Sequence, residues 1–228
     1  MVLHPHAQSG FSSYNNNKFQ TQPIRELELR YNFVMNIQNE SKLIKDQADK
    51  LLKSWSLLEY LNKYGDAYSV GSVALDLMTW RDIDLEVICD KEPSKNDAID
   101  VARYLFNKDG FRKVSPIDYS DGDGIKKPKG LYIGTEYVDE DKNKWKVDVW
   151  LLATNFARTK EKTEEIRNRL TPEFRNIILD IKSQVHDHPL YRKKIVSVDI
   201  YDAVTNDGVK NLEDFKEYLK DKGIEVEI

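Results

Sequence analysis

The stretch GSVALDLMTWRDIDLEVICD, residues 71–90, changes pattern halfway along. Its second half alternates. Ile83, Leu85 and Val87 fall on one side and Asp82, Asp84 and Glu86 on the other, which is the period of a β-strand. Acids inside a strand that otherwise reads as buried are costly unless a cation or hydrogen-bond donors compensate them. Asp82 and Asp84 project the same way. Two carboxylates at that spacing repel, and a hard divalent cation with oxygen ligands relieves the repulsion. The first half bends at Gly71, which permits a tight turn and close approach of a ligand to the backbone. VALDLMTW then reads as a short helix. The amides of Ser72 and Val73 would start it, and free amides at a helix start bind phosphate.

The flanks extend this unit. IRELELRYNFVMNIQ reads as a helix, and residues 41–65 as a second one. In the second, Ile44, Ala48, Leu51, Trp55, Leu58 and Leu61 recur at steps of three and four. Ser41 is placed to cap its start and Gly65 to end it. DAYSVGS reads as a strand entering the Gly71 turn. Downstream come an amphipathic helix in SKNDAIDVARYLFNKDG that Gly110 would end, a strand in FRKVSP, and a loop in DYSDGDGIKKPKG. LYIGTEYV and KWKVDVWLL follow as two strands joined by a polar turn. Beyond residue 154 the pattern turns helical. Thr171 and Pro172 open one helix, Leu212, Phe215 and Leu219 line another, and IVSVDIYDAV leans towards helix with Ser197 as cap. The expected fold is therefore α+β: a mixed sheet with flanking helices and a helical C-terminal part. Residues 1–22 read as a polar flexible tail, 23–153 as the core with its N-terminal helices, and 154–228 as the helical region.

KWKVDVWLL supplies a third acid, Asp148, between Val147 and Val149. If its strand lies beside the first, three carboxylates meet. Gly71 and Ser72, then Asp82 and Asp84 in DID at this spacing, with Asp148 in VDV on a later strand, resemble the signature of the nucleotidyltransferase superfamily that includes DNA polymerase β. The spelling looks closest to small bacterial enzymes that nucleotidylate aminoglycoside or lincosamide antibiotics. The resemblance covers residues 50–153 and is specific only at those five positions. It implies that Asp82, Asp84 and Asp148 hold two Mg²⁺ ions. It also implies that Gly71 and Ser72 contact the phosphates of ATP or another nucleoside triphosphate, and that a nucleoside monophosphate passes to an acceptor hydroxyl with release of pyrophosphate. The sequence departs from the common pattern in lacking a basic residue soon after Ser72. Arg81, or lysines from elsewhere, would have to bind the triphosphate. Glu86 is an additional acid on the same face, and Lys146, by its parity on the later strand, is the expected partner.

The chain has 228 residues, 40% apolar and 32% charged, with a formal net charge of −4. That balance argues against a generally basic nucleic-acid binder while leaving room for a local patch. A hydroxyl-bearing small molecule is the favoured acceptor. RNA or protein would require KKPKG and YRKK to line one groove. A non-catalytic nucleotide-binding module is the alternative of another class. One cysteine, Cys89, excludes an intrachain disulfide and suits a reducing, cytoplasmic setting. No apolar run approaches a membrane span. Trp150 shares parity with Asp148 and offers a stacking surface, with core packing as the plainer role. HDHP, residues 186–189, offers two histidines for a metal, or simply a polar helix end. The C-terminal helices are expected to build an acceptor pocket or a homodimer contact.

Overall fold

A computed structural model describes residues 21–121, 128–153 and 158–225. The expected tail falls outside it up to residue 20. Five strands form one sheet in the order β1-β2-β5-β4-β3: β1 Gly65–Val70, β2 Asp82–Cys89, β3 Phe111–Asp118, β4 Leu131–Val138 and β5 Lys144–Ala153. β2 and β5 run parallel, and the other neighbours are antiparallel. The fold class is thus the expected α+β arrangement of a mixed sheet with flanking helices.

One face of the sheet is dry. Ile83, Leu85 and Val87 of β2 and Val147, Val149 and Leu151 of β5 are all fully buried. They pack under Ile44, Ala48, Leu52 and Trp55 of α1 (Thr21–Trp55), Leu57 and Leu61 of α2 (Leu57–Leu61), and Ala98, Val101 and Leu105 of α4 (Lys95–Phe106). The alternate residues of β2 and β5 point to the other face, and there the acids lie, with Asp82, Glu86 and Asp148 themselves buried. A second apolar cluster joins α6 (Pro172–Val185), α7 (Ser197–Thr205) and α8 (Leu212–Asp221) to Ile37 of α1 and to Leu75 and Leu77.

Several local expectations are revised. The first two helices are one: α1 runs unbroken for 35 residues, and Ser41 sits buried inside it instead of capping a start. No Gly or Pro interrupts residues 36–45, and the Ser41 hydroxyl accepts from Arg175 Nη2 at 3.4 Å, so its polarity is met by tertiary contact. The break comes at Ser56, in the left-handed region at φ 49°. Gly65 opens β1 instead of ending a helix. A Cβ there would lie 2.0 Å from the Ile88 carbonyl oxygen, so only glycine admits this strand approach. α3 is shorter than expected, Gly71–Leu75, and ends at Asp76 in the left-handed region. Gly110 adopts φ 93°, but α4 has already stopped at Phe106. α7 is a helix as expected, with Val196 as its cap residue. Ser197 instead shares a hydrogen bond with the Tyr191 hydroxyl at 2.7 Å.

Candidate metal and nucleotide site

The register of the parallel pair builds the site. Asp84 lies opposite Asp148, and Asp82 opposite Lys146. Oxygens from Asp82, Asp84 and Asp148 all come within 4.8 Å of one another, and no other group of three such ligands occurs among the described residues. β1 delivers Gly71 to the same place, since Val70 pairs with Asp84. Gly71 has φ 62°, and a Cβ on it would stand 3.4 Å from Asp84 Oδ2. The turn and the acids therefore touch, as the sequence spacing implied. Ser72 is buried in the first turn of α3 (Gly71–Leu75), where backbone amides have no intrahelical acceptor.

Charge is concentrated here. Burial, then the neighbouring Asp82 and Asp148, push Asp84 well above the usual carboxylate range, to about 8. Burial also raises Asp148, against the pull of Lys146. Two cations offset the acids. Lys146 Nζ hydrogen bonds Asp148 and stands 3.9 Å from Asp82 Oδ1, and Arg192 Nη2 donates to Asp82 Oδ2 at 3.0 Å. Burial alone would lower Lys146, but Asp82 and Asp148 outweigh it and its pKa is raised. Arg192 is held at φ 64°, a region non-glycine residues avoid, and its side chain reaches the acids from a turn 110 residues away. Asp82 Oδ1 and Asp148 Oδ1 are buried with no hydrogen-bond partner. Unsatisfied buried carboxylate oxygens in a three-acid cluster fit a hard divalent cation by the chemistry of the donor set.

The expected Glu86–Lys146 pair does not form. In the register Lys146 faces Asp82, while Glu86 faces Trp150 four residues further along. Glu86 is buried and takes a hydrogen bond from the Tyr68 hydroxyl at 3.4 Å, with Thr159 as its other partner. Arg81 turns to Gln47 Oε1 at 3.4 Å and to the Trp145 ring. It lines a cavity of about 710 Å³ that also touches Asp82, Lys146 and Arg192, but neither Gly71 nor Ser72. Trp150 joins Tyr132 and Tyr119 in an aromatic group on the acid face, Trp145 is core, and Trp80 donates to Asp82 Oδ2 at 3.4 Å. His186 ends α6 (Pro172–Val185) and stacks on Trp80. Of the two basic runs, YRKK contributes Arg192 to the cavity. Lys126 and Lys127 of KKPKG lie outside the described residues.

Sequence reasoning missed Arg192, Lys182, Tyr132 and Gly134. Lys182 is fully buried. It donates to the Leu77 carbonyl and the Tyr201 hydroxyl and lies under the Trp80 ring, and burial lowers its pKa to about 7 against the pull of Asp84 and Asp82. Arg167 and Arg175 likewise donate to the Ala74 and Asp76 carbonyls. Three cations from α5 (Arg158–Arg169) and α6 thus satisfy the carbonyls left free where α3 ends. Gly134 pairs with Asp148, and the space a side chain there would fill is taken by the Tyr132 ring, whose hydroxyl reaches the third acid. A glycine inside LYIGTEYV was the readable signal for it.

No family model and no curated protein matches this sequence. Solved structures share its fold. Cid1 poly(U) polymerase bound to MgATP superposes with a TM-score of 0.54 at 15% identity, covering 75% of this chain and 53% of that one. Cid1 with its short product ApU gives a TM-score of 0.52 at 14% identity, covering 75% and 51%. The STING-associated CdnE c-di-GMP synthase from Capnocytophaga granulosa gives 0.52 at 14% identity, covering 90% and 79%. The chain spans about half the length of the Cid1 structures it matches. The fold is that of nucleotidyltransferases.

Proposed function

We propose that the chain transfers a nucleoside monophosphate, AMP from ATP, to the hydroxyl of a small acceptor. The observation that carries this reading is the meeting of Asp82, Asp84 and Asp148, two of them with unpartnered oxygens, against the Gly71–Ser72 turn. The three acids would hold two Mg²⁺ ions, which supply charge neutralisation at the triphosphate and activation of the acceptor oxygen. The rest falls to the chain itself. The amides and hydroxyl at Gly71 and Ser72 take phosphate oxygens. Lys182, buried beneath α3 and donating to the Leu77 carbonyl, supplies a basic side chain where the fragment after Ser72 has none. Arg81 faces the acceptor cavity, so its role shifts from donor to acceptor. The acceptor oxygen forms its bond to the α-phosphorus, the bond to the β-phosphate oxygen breaks, and pyrophosphate leaves.

The cavity of about 710 Å³ lies within the range of small-molecule sites. Residues 23–153 would carry the chemistry, and residues 154–228 would close the site through Lys182 and Arg192. The neighbours' printed substrates include RNA and nucleotides, and these belong in the assay beside small molecules. The experiment incubates the protein with α-³²P-labelled nucleoside triphosphates, Mg²⁺ and separate pools of small molecules, RNA and protein. Mg²⁺-dependent label transfer by the wild type, absent in Asp82→Asn, is the expected result. Label incorporation that ignores both metal and Asp82 would overturn the reading.

A further inference from the structure

The aminoglycoside-type resemblance would place a cationic acceptor in this site, and the cavity wall has the wrong charge for it. Resting on the transfer reading above, we infer that the acceptor is itself a phosphate-bearing molecule, presenting its hydroxyl beside one or more phosphate groups.

Six cations line the cavity: Arg81, Arg112, Lys113, Lys144, Lys146 and Arg192. Only two carboxylates do, Asp82 and Glu136. The chain as a whole carries a net charge of −4, so this wall runs against the composition of the molecule. The two acids do not cancel it. Glu136 pairs with Lys113 at 3.5 Å, and Asp82 belongs to the metal site. Arg112 and Lys144 have no ion-pair or hydrogen-bond partner among the described residues. The Arg81 Nε is buried with no partner, beside the same cavity.

Lys146 and Arg192 are neutralised by the acid cluster only while the carboxylates lack divalent cations. Once metal charge satisfies Asp82 and Asp148, both cations lose their counterions inside a partly closed cavity. Clustered like charges at that density repel one another, and an anionic guest is what relieves them. Arginine and lysine side chains from β3, β5 and the Arg192 turn line this one cavity, which suits phosphate oxygens. The Tyr132 ring lies over Gly134 and reaches Asp148, so the cavity meets the acid cluster through Asp82, and there the hydroxyl must arrive.

The test measures binding and not turnover. Wild type is saturated with Mg²⁺ and α,β-methylene-ATP, whose bridging carbon blocks transfer. It is then titrated calorimetrically with 5′-AMP, a five-residue oligoadenylate and kanamycin, at 50 and 200 mM salt. Arg112→Glu/Lys144→Glu is titrated in parallel, with a thermal melt as the control for folding. At least one phosphate-bearing probe should bind, more weakly at high salt, and the double variant should weaken it tenfold or more. Binding of 5′-AMP marks a free nucleotide as the source, and binding of the oligoadenylate alone marks a strand end. Either upholds the inference. Failure of both probes, indifference to the double charge reversal, or selective binding of kanamycin overturns it. Repeating the titrations without donor separates the two readings. Anion binding in a protein with no affinity for the ATP analogue keeps the cationic wall and removes the transfer.

Discussion

Replacing Asp84 by Asn should stabilise the metal-free protein while abolishing its Mg²⁺-dependent activity. Asp84 is pushed from its ordinary value of 3.8 to about 8 by burial and by two neighbouring acids. At pH 7 the folded site therefore retains a proton that the unfolded chain released about three pH units lower. At about 1.4 kcal/mol per pH unit this costs the fold roughly 4 kcal/mol. Asp84 keeps part of its surface in water, which screens the repulsion, so about half of that, ~2 kcal/mol, is the expected gain for Asn. For a chain of this size that raises Tm by roughly 4–8 °C. The sign follows from proton counting. Between pH 4 and 8 the folded state binds more protons than the unfolded one, so wild-type stability in chelator falls as pH rises through this window. Asp84→Asn should flatten that slope. Thermal melts in EDTA at pH 5, 6, 7 and 8, repeated in excess Mg²⁺, read all of this. Mg²⁺ should raise the wild type and leave the variant nearly unmoved. If Asp84→Asn is no more stable than wild type in EDTA at pH 8, the charge accounting at this site is wrong.

Three further outcomes follow from the same geometry. Mg²⁺ affinity, measured by calorimetry, should tighten as pH rises from 6 to 9, because the proton on Asp84 must leave before the metal is held; a flat profile would contradict the raised Asp84. Gly71→Ala should lose about 1 kcal/mol, roughly 2–4 °C in Tm, from the φ of 62° alone, since the new methyl would make only an ordinary contact with Asp84; an unchanged melt would refute the strained turn. Lys182→Met should remove a pH dependence. With the folded pKa lowered to about 7 from 10.5, the folded state binds fewer protons than the unfolded chain between those values. Wild-type stability therefore rises with pH there by an amount on the order of 5 kcal/mol, and urea melts of the variant should show no such rise.

The sequence carried the local pieces of this site and not the pairings that finish it. Alternation in RDIDLEVIC put Asp82 and Asp84 on one face, and the Gly71 bend placed a tight turn before them, because both are short-range consequences of strand period and glycine freedom. Asp148 was readable once its strand was taken to be a neighbour. The partner of Lys146 was not readable, because parity allows Glu86 or Asp82 and only the register of β2 against β5 chooses between them. Arg192 reaches Asp82 from a turn whose geometry no periodicity encodes. Lys182 did leave a trace. It falls at the helical spacing of Ile178, Ile181 and Val185, a charged residue at a core position, and such a residue needs a buried partner. Ser41 shows the opposite case: it reads as a cap, yet without a helix breaker beside it the helix runs on and tertiary contact supplies its bond.

Stability and chemistry oppose each other at one point of this molecule, and the cations are what reconcile them. Three carboxylates within 4.8 Å on the sheet face opposite the main core would strain the fold if left alone. Lys146 and Arg192 hold them together in the absence of metal, from a neighbouring strand and from the C-terminal part. Both residues also line the cavity of about 710 Å³. A hydrophobic substitute at either position would leave the acids uncompensated when metal is absent, and a stronger, fully buried pair would compete with metal for the same oxygens. Lys146 and Arg192 are about half exposed in their side chains, at 42% and 54%, which keeps the ion pairs weak enough to be exchanged. Each of these cations thus offsets the acids in the metal-free site while keeping a side chain on the cavity wall.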